Sequence, residues 1–512
     1  MARRPATGEC RAWPRSITAH IMAAHKISIA EAMDRSGVAF GTSGARGLVV
    51  AMTDEVCYTY TRGFLQYLER EGEISRGGRV AVAGDLRSST PRIMSAVMKA
   101  IADHGGVPVN GGRVPTPAVA LYGFAARIPS IMVTGSHIPD DRNGIKFNRP
   151  KSELLKRDEP GMKEQVVELP PDFDAKGATL ASAQRVEPAV ETEVERRYVH
   201  RYFEAFGEGA LKGTHIGLFE HSAVGRDILF EVLTGLGARV TRLGRSDKFI
   251  PVDTEAIRPE DVESAARWAS EHRFDTIVST DGDSDRPLVS DEHGKWLRGD
   301  VAGILTAKFL GATFVATPVS CNTAVEKSAA FKRVARTRIG SPYVIEAMNG
   351  ALGGTEKVVG YEANGGFLTA TDFSIAGHLP ALPTRDALLV PLCVLLGARA
   401  QGLTISQLLA TLPQRFTASD RLEDFPTALS KERLGALAQG GPNAISAAFP
   451  AFGAVSDVST VDGIRITFAS EEVVHLRASG NAPELRCYTE ASSEARAVEL
   501  NEEALQVLRG WR

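Results

Sequence analysis

Apolar and polar positions alternate along this chain in the pattern typical of an α/β protein. From residue 38 onward, short apolar runs bounded by Gly, Pro or Asp alternate with stretches whose apolar residues recur at helical spacing. The run RVAVAGD at 79–85 predicts a buried strand, and TPRIMSAVMKAIADHG at 90–105 predicts a helix begun by Thr-Pro and ended by Gly. The run PSIMVTGSH at 129–137 predicts a second strand.

The same unit recurs further along the chain. Residues 214–240 predict strand, loop, helix and strand, and residues 274–290 predict a strand, an acidic loop and another strand. Residues 311–330 repeat the step from strand to helix. The repetition has no fixed period, which excludes a solenoid.

Two stretches have the composition of connectors. Residues 166–188 are rich in Pro, Asp, Ala and Ser, and residues 411–426 are polar with prolines near both ends. After the second stretch the pattern changes to amphipathic helices plus the short runs GIRITF and EVVHLRAS. This change predicts a smaller α+β domain at the C-terminal end.

Composition narrows the class of protein. The chain has 512 residues, 43% of them hydrophobic, which is too long for one core and predicts about three or four domains. A formal net charge of -3, with both signs spread along the chain, favours neither nucleic acid nor an anionic membrane over a small-molecule partner. No apolar run approaches the ~20 residues of a membrane span. We expect residues 1–25 to be a disordered extension, with Met22 as an alternative start.

The cysteines indicate a reducing compartment. They are far apart and form no CxxC pair, so neither a zinc site nor a disulfide framework is expected, and a cytoplasmic location fits best. The five cysteines are Cys10, Cys57, Cys321, Cys393 and Cys487.

Residues 134–147, TGSHIPDDRNGIKF, carry more chemistry than a turn requires. The strand before them delivers Ser136 into a glycine-bounded loop at a sheet edge, where α/β proteins bind ligands. His137, Arg142 and Lys146 would make the surroundings cationic, as a phosphoryl group on the serine, with about -1.5 to -2 charge, would need. The alternative is a Thr-Gly-Ser turn beside a solvated charge cluster. The pattern is not GxSxG, which argues against a hydrolase nucleophile elbow.

The segment DGDSDR at 281–286 places Asp281, Asp283 and Asp285 at alternate positions just after an apolar strand. Three carboxylates there can converge on one hard cation, and Mg²⁺ keeps open positions for a phosphate. An EF-hand loop would lie between two helices, whereas strands are predicted on both sides here. An aspartyl-phosphate phosphatase would use D-x-D in a similar way. An acidic turn is the remaining alternative, but its carboxylates would repel one another without a cation.

The glycine-rich segment GYEANGGF at 360–367 presents Glu362 and Asn364 from a tight loop. A carboxylate and an amide suit the paired hydroxyls of a sugar. A plain glycine-rich turn explains this segment equally well.

A fourth segment, RASGNAPELR at 477–486, follows another apolar strand. Its arginines flank a turn whose backbone N–H groups can form an anion-binding nest. The segment matches neither a Walker A loop nor GxGxxG, so no nucleotide is implied. Together the four segments fit an enzyme that moves phosphoryl groups on a sugar phosphate.

These segments resemble the motifs of the α-D-phosphohexomutase superfamily, which includes phosphomannomutases and phosphoglucomutases. The resemblance runs from FGTSGARG at 40–47 to about residue 490. The serine loop, usually T-A-S-H-N-P followed by N-G-I-K, here reads TGSHIP followed by NGIKF, and the metal loop D-G-D-x-D-R is intact. The last loop is similar to R-x-S-G-T-x-P-x-L-R, with Asn481 in place of threonine.

Two departures from the family pattern concern the sugar and the proton. The sugar loop is commonly G-E-x-S-G-H, and here Glu362 is followed by Asn364 and two glycines. Some members carry a histidine in the third domain, but the comparable stretch TRIGSPYV at 337–344 has none. The general base is therefore left open between His137, Lys146 and metal-assisted chemistry.

The resemblance implies an α/β fold of three related mixed α/β domains plus a smaller C-terminal α+β lid around a central cleft. It also implies that a phosphoserine at Ser136 exchanges its phosphoryl group with a hexose phosphate through a hexose 1,6-bisphosphate. The expected domains are 26–182 with the phosphoserine loop, 183–297 with the metal loop, 298–410 with the sugar-recognition loop, and 411–512 with the phosphate-binding lid.

The resemblance assigns a role to each motif residue. One Mg²⁺ is expected, with hexose 1,6-bisphosphate as activator and a monomer or homodimer as the assembly. Catalysis is assigned to Ser136, His137, Lys146 and Arg46, the metal to Ser136, Asp281, Asp283 and Asp285, and the substrate to Arg286, Glu362, Asn364, Arg477, Ser479, Gly480, Asn481 and Arg486.

The expected reaction interconverts hexose 1-phosphate and hexose 6-phosphate, with mannose preferred over glucose and glucosamine. A metal-dependent sugar phosphatase is the alternative from another class, and a catalytically inactive sugar-phosphate sensor is a third. The sensor would need neither Ser136 nor the three aspartates.

Overall fold

The computed structural model describes residues 25–41, 44–479 and 483–512. The predicted extension therefore lies outside the described residues, except for its last residue. Residue 25 was predicted to belong to that extension, and instead it begins the first strand. Among the described residues, none of the helices has the length and apolar character that crossing a membrane requires.

The first part of the chain builds a six-stranded sheet with helices around it. A separate antiparallel pair, the first and last strands of this part, joins its two ends. In chain order the elements are β1 (His25–Ser28), α1 (Ile29–Ser36), β2 (Ala39–Phe40), β3 (Ala45–Leu48), α2 (Asp54–Arg70), β4 (Arg79–Gly84), α3 (Thr90–Asp103), β5 (Val107–Arg113), α4 (Thr116–Ala126), β6 (Ser130–Val133), β7 (Arg142–Asn148), a short 3-10 helix (Lys156–Asp158), α5 (Glu159–Lys163) and β8 (Val166–Leu169).

Two four-stranded sheets follow in the middle of the chain. The first is formed by elements after a 3-10 turn (Ala181–Ala183), namely α6 (Glu193–Phe206), β9 (His215–Phe219), α7 (Arg226–Gly235), β10 (Arg239–Leu243), α8 (Pro259–His272), β11 (Thr276–Thr280) and β12 (Pro287–Val289). The second comprises α9 (Gly299–Leu310), β13 (Phe314–Pro318), α10 (Ala324–Lys327), β14 (Arg333–Thr337), α11 (Ser341–Gly350), β15 (Val358–Tyr361) and β16 (Phe367–Thr369), followed by β17 (Phe373–Ser374), β18 (His378–Leu379), α12 (Leu389–Ala400) and α13 (Ile405–Ala410).

The last part of the chain forms an antiparallel sheet in the order β19-β23-β22-β21-β20. Its elements are β19 (Phe416–Leu422), α14 (Thr427–Ala448), a 3-10 turn (Pro450–Phe452), β20 (Val455–Ser459), β21 (Ile464–Phe468), β22 (Val473–Ala478), β23 (Leu485–Ala491) and α15 (Glu494–Arg509). The predicted smaller α+β domain is thus present.

The three α/β sheets share one topology. Each contains three parallel strands and a fourth antiparallel strand, in the orders β5-β4-β6-β7, β10-β9-β11-β12 and β14-β13-β15-β16. Within each set of four strands, counted in chain order, the second strand pairs with one side of the first. The third strand pairs with the other side of the first, and the fourth strand pairs with the third. The connection between the third and fourth strands therefore leaves each sheet at the same place.

Both predicted connectors contain a strand, so these two predictions were partly wrong. Residues 166–169 form β8, in which Val167 and Leu169 are buried while Val166 and Glu168 are exposed. Residues 416–422 form β19, which pairs with β23 along seven positions. Both are polar because they lie at the edge of a sheet or in a two-stranded ribbon, where one face meets water.

The apolar interior is divided between the α/β part and the C-terminal domain. One large cluster runs from β4 and α4 through α6, α9 and α12, and so joins the first three sheets. A second cluster fills the sheet of the C-terminal domain with residues from α14, β21, β22, β23 and α15. Each α/β sheet and the C-terminal sheet falls inside one of the four predicted domains, whose boundaries stay predictions.

Candidate active site

Three of the four predicted functional loops are the equivalent connections of the three sheets. The serine loop joins β6 to β7, the acidic loop joins β11 to β12, and the glycine-rich loop joins β15 to β16. Ser136 and Asp281 are 145 positions apart in the chain, yet the Ser136 hydroxyl donates a hydrogen bond to Asp281 Oδ2 at 2.7 Å. The shared topology thus brings the three loops to one place.

Ser136 is held in an uncommon backbone conformation. Its φ angle of 56° lies in the left-handed region, which costs energy for a residue other than glycine. The backbone N–H of Ser136 donates to Thr134 Oγ1 at 2.8 Å, and its side chain is completely buried. Next to it, His137 Nδ1 lies 3.3 Å from the Ser136 hydroxyl. The hydroxyl therefore has two proton acceptors within reach.

The three aspartates converge as a metal site requires. One carboxylate oxygen from each of Asp281, Asp283 and Asp285 lies within 4.8 Å of the others, and all three residues are buried. The Oδ1 atoms of Asp283 and Asp285 are buried without a hydrogen-bond partner. Buried carboxylate oxygens without a donor are costly unless a cation pairs with them. These hard oxygen ligands fit Mg²⁺.

Lys146 lies against two of the aspartates. Its Nζ atom is 2.5 Å from Asp283 Oδ2 and 2.7 Å from Asp285 Oδ2. Thr116, at the start of α4, donates to the same Asp283 oxygen at 2.5 Å. Burial alone would raise the pKa of Asp283, but Lys146 and then Thr116 outweigh it and lower that pKa. Asp283 is therefore an anion in the folded protein.

Asp281 has a different environment. Burial, and then the charges of Asp283 and Asp285, hold the pKa of Asp281 well above its usual range.

Burial and then the Arg286 charge lower the pKa of His137 to about 3, so its imidazole is neutral at pH 7. A neutral imidazole beside a serine hydroxyl can accept its proton.

Arg46 and Arg286 bring further positive charge to the cleft. Arg286 Nε lies 3.9 Å from both Asp281 Oδ2 and Asp285 Oδ1. Burial and then the nearby Arg286 charge lower the pKa of Arg46 to about 10. The Nε atoms of Arg46 and Arg286 are buried without a protein acceptor. Donors of this kind suit an anionic ligand such as a phosphate.

Arg385 connects the acidic loop to the glycine-rich loop. Its Nη2 atom is 2.9 Å from Asp285 Oδ2, and its Nη1 atom is 3.2 Å from Glu362 Oε2. Asn364 uses its side-chain oxygen within its own loop, where it accepts from the Gly366 N–H at 3.0 Å. The Glu362 carboxylate is thus part of the site's charge network, while the Asn364 side chain shapes the turn.

The fourth predicted loop lies in the C-terminal domain between β22 and β23. Arg477 Nε donates to Asp462 Oδ1 at 3.0 Å, and Arg486 pairs with Glu484 at 3.2 Å. The Ser479 N–H donates to the Glu484 carbonyl, which closes the loop. Both acidic partners, Asp462 and Glu484, belong to the C-terminal domain. Gly480 and Asn481, which were assigned to substrate, lie outside the described residues.

Sequence comparison identifies the family. Models of the phosphoglucomutase/phosphomannomutase family match its alpha/beta/alpha domain I at residues 37–168, its domain III at 298–416 and its C-terminal domain at 429–507. The chain is 42% identical to a phosphomannomutase of Salmonella muenchen, over 93% of this chain and 96% of that protein. It belongs to the phosphoglucomutase/phosphomannomutase family. This confirms the family expected from the motifs.

Other relatives agree with this family. A phosphomannomutase of Sinorhizobium fredii is 42% identical over 92% of this chain and 99% of its own length, whereas a phosphoglucosamine mutase of Sorangium cellulosum is 28% identical over a similar span. The crystal structure of a putative phosphomannomutase from Thermus thermophilus has the same fold, with a TM-score of 0.70, 20% identity, and coverage of 92% of this chain and 99% of that chain. The predicted fold class is thus confirmed.

Three residues of the site of this family member were not identified from the sequence. Thr116 and Arg385 contact the acidic loop, and Arg87 contacts the serine loop. Each lies far along the chain from the residue it contacts, at separations of 167, 100 and 49 positions. The position of Arg87, two residues after Asp85 in the loop that follows a buried strand, was the one local signal for these three residues.

Proposed function

We propose that this chain is a phosphohexomutase that interconverts hexose 1-phosphate and hexose 6-phosphate, with mannose as the preferred sugar. The 2.7 Å contact between the Ser136 hydroxyl and the buried aspartate triad carries the proposal. A phosphoryl group carried on that serine would lie beside three metal-binding carboxylates. The preference for mannose is supported by the 42% identity to two phosphomannomutases.

In the proposed reaction, the P–O bond of phosphoserine breaks while a hydroxyl of the hexose phosphate forms a new P–O bond. The sugar hydroxyl loses its proton as it forms this bond, and the Ser136 oxygen takes up one proton, so that the serine ends as a hydroxyl. His137 Nδ1, 3.3 Å from that oxygen, is the group positioned to hold this proton. The second half of the reaction reverses these steps at the other end of the sugar.

Asp281, Asp283 and Asp285 would hold Mg²⁺, together with an oxygen of the phosphoserine. When bound, the ion would neutralise charge on the transferring phosphoryl group. Lys146 and Arg286 add positive charge on the protein side. Glu362 would bind sugar hydroxyls, and the Arg477–Arg486 loop of the C-terminal domain would bind the phosphate that does not react.

We further propose that the enzyme is cytoplasmic and is activated by hexose 1,6-bisphosphate. The bisphosphate would load the serine, because it can donate either phosphate to Ser136. A metal-dependent phosphatase remains the second candidate, since D-x-D also occurs in enzymes that form an aspartyl-phosphate. The two candidates differ in where the phosphoryl group goes.

The test measures initial rates on mannose 1-phosphate, glucose 1-phosphate and glucosamine 1-phosphate, with Mg²⁺ and a trace of hexose 1,6-bisphosphate. Sugar 6-phosphate and free phosphate are followed in parallel. We expect sugar 6-phosphate, fastest from mannose, and its loss in Ser136→Ala. Ser130→Ala is the matched control, because it removes a buried hydroxyl at the other end of β6 that pairs with Asn148. Free phosphate as the only product would refute the mutase.

A further inference from the structure

Arg87 is bound almost entirely by the serine loop. It follows β4, and its side chain is fully buried. Nη1 donates to the carbonyls of Pro139 and Arg142 at 2.7 and 3.1 Å, and Nη2 donates to those of Ser136 and Ile138 at 2.9 and 2.6 Å. Four carbonyls of one seven-residue segment thus converge on a single guanidinium.

The remaining N–H group binds a buried carboxylate. Arg87 Nε donates to Asp85 Oδ2 at 3.2 Å, so each of the five guanidinium N–H donors has an acceptor. A guanidinium whose donors are all used cannot also bind a phosphate. Arg87 therefore cannot act on the phosphoryl group directly, although it binds the backbone carbonyl of the serine that would carry that group.

Asp85 ties the same loop down from a second side. It accepts from Thr134 Oγ1 at 2.7 Å and from Thr90 Oγ1 at 2.7 Å. Thr134 Oγ1 in turn accepts the N–H of Ser136. The left-handed conformation of Ser136 is thus fixed at its N–H through Thr134 and Asp85, and at its carbonyl through Arg87.

The guanidinium also contacts the neighbouring unit. Phe249, between β10 and α8, lies under it with 3.9 Å from the guanidinium carbon to the ring centroid. The same ring would be 3.0 Å from a Cβ atom added to Gly282 of the acidic loop, and a Cβ added to Gly135 would be 2.6 Å from the guanidinium carbon. Arg87 and Phe249 therefore link the serine loop to the acidic loop at van der Waals distance.

We propose that Arg87 is a positioning residue for phosphoryl transfer. It holds the serine loop so that the Ser136 oxygen keeps its position next to the acidic loop. This inference rests on the proposed mutase function. A flat fork with five donors is needed, because a lysine ammonium carries three donors on one atom and cannot satisfy four carbonyls and a carboxylate. Loss of the fork leaves the carbonyls of the loop without donors and frees the loop to move.

The test compares Arg87→Lys and Arg87→Gln with Arg149→Gln. Arg149 is the matched control: it follows β7 at the end away from the serine loop, and it pairs with Glu73 and Asp158 in the same part of the chain. We expect both Arg87 variants to lower kcat about 10- to 100-fold, because small displacements of reacting groups cost about that much. KM should stay within about twofold, since the hydrogen bonds of Arg87 go to the serine loop and Asp85 and to none of the residues assigned to substrate binding. The control should keep the wild-type kcat.

Hydrogen–deuterium exchange gives a readout independent of turnover. In the Arg87 variants, peptides covering residues 134–143 should exchange faster, while peptides of the C-terminal domain should not change. Phe249→Leu keeps every hydrogen bond of Arg87 and should lower kcat only a few-fold. If Arg87→Gln does not fold, Arg87→Lys and Phe249→Leu together test the role of Arg87. Wild-type kcat in folded Arg87→Lys, or unchanged exchange of the serine loop, would overturn the inference. Faster loop exchange without any mutase activity in the wild type would instead refute the proposed function.

Discussion

Replacing Arg385 by methionine tests whether the charge network of the site is also a major source of stability. Arg385 is buried and holds two buried carboxylates, Asp285 and Glu362, at 2.9 and 3.2 Å. Burial alone would lower the pKa of Arg385, but Asp285 and then Glu362 outweigh it and raise that pKa. Methionine keeps much of the volume and removes the charge. The buried Glu362 carboxylate then loses its contact with Arg385, while Asp285 keeps Lys146 at 2.7 Å.

The expected loss follows from these contacts. Breaking a buried ion pair by removing one partner costs about 3–5 kcal/mol, because an uncompensated charge is left in the interior. At about 1–2 °C per kcal/mol for a large cooperative unit, the melting temperature of the α/β part should fall by about 3–10 °C. Arg399→Met is the control, since Arg399 is exposed near the end of α12 and its loss should cost less than about 0.5 kcal/mol.

The assay is differential scanning calorimetry of wild type, Arg385→Met, Glu362→Gln and the double variant. In the double variant the Glu362 charge that Arg385→Met leaves unpaired is gone, so about 0.5–3 kcal/mol should be recovered relative to the sum of the single losses. The reasoning fails if Arg385→Met melts within about 2 °C of wild type, or if the two losses simply add. Turnover should also fall in Arg385→Met, because Asp285 loses one of the two cations that orient it.

Three further predictions concern the metal, the lid and pH. Mg²⁺ should raise the melting temperature of the wild type through binding to the folded state but not that of Asp283→Asn, and EDTA should abolish turnover; equal stabilisation of both proteins would contradict the proposed metal site. Asp462→Asn should raise KM for sugar phosphate about tenfold, with a smaller change in kcat. The reason is that the Asp462 carboxylate orients Arg477 and also accepts a hydrogen bond from the Ile339 N–H at 3.0 Å. An unchanged KM would refute this prediction. Burial lowers the pKa of His475 to about 4, so between about pH 6.5 and 4 the unfolded chain binds a proton that the folded chain does not. As pH falls through that window, the free energy of unfolding of the C-terminal domain should decrease by about 1.4 kcal/mol per pH unit, and less steeply in His475→Gln. Equal slopes in the two proteins would exclude His475 as the cause.

The sequence predicted the parts of the site whose chemistry is local. Ser136 and the three aspartates were recognisable because each follows an apolar strand and stands among residues that a turn does not need. Arg385 and Thr116 gave no such signal. Arg385 lies before an apolar helix, and Thr116 resembles an ordinary first residue of α4. Their roles depend on contacts across 100 and 167 positions, which neither local pattern indicates.

The two misjudged connectors have a related physical cause. In β19 the outward positions are polar because the strand lies at the edge of the C-terminal sheet, so its composition resembles that of a loop. In β8 only two apolar residues face the core, and its partner β1 lies more than a hundred residues earlier. Strand pairing over such distances is decided by tertiary packing, which composition does not reveal.

The repeated topology fixes the loops of the candidate site relative to one another. The serine, acidic and glycine-rich loops leave equivalent points of three sheets that share an apolar cluster, so the groups proposed to carry out the chemistry are fixed relative to one another. The loop proposed to grip the distal phosphate belongs to a sheet with its own cluster, and it is joined to the rest through polar contacts such as Asp462 to Ile339. Polar interfaces between domains permit relative motion more readily than apolar ones. We therefore expect the C-terminal loop to move relative to the serine and the aspartates more readily than the serine loop and the acidic loop move relative to each other.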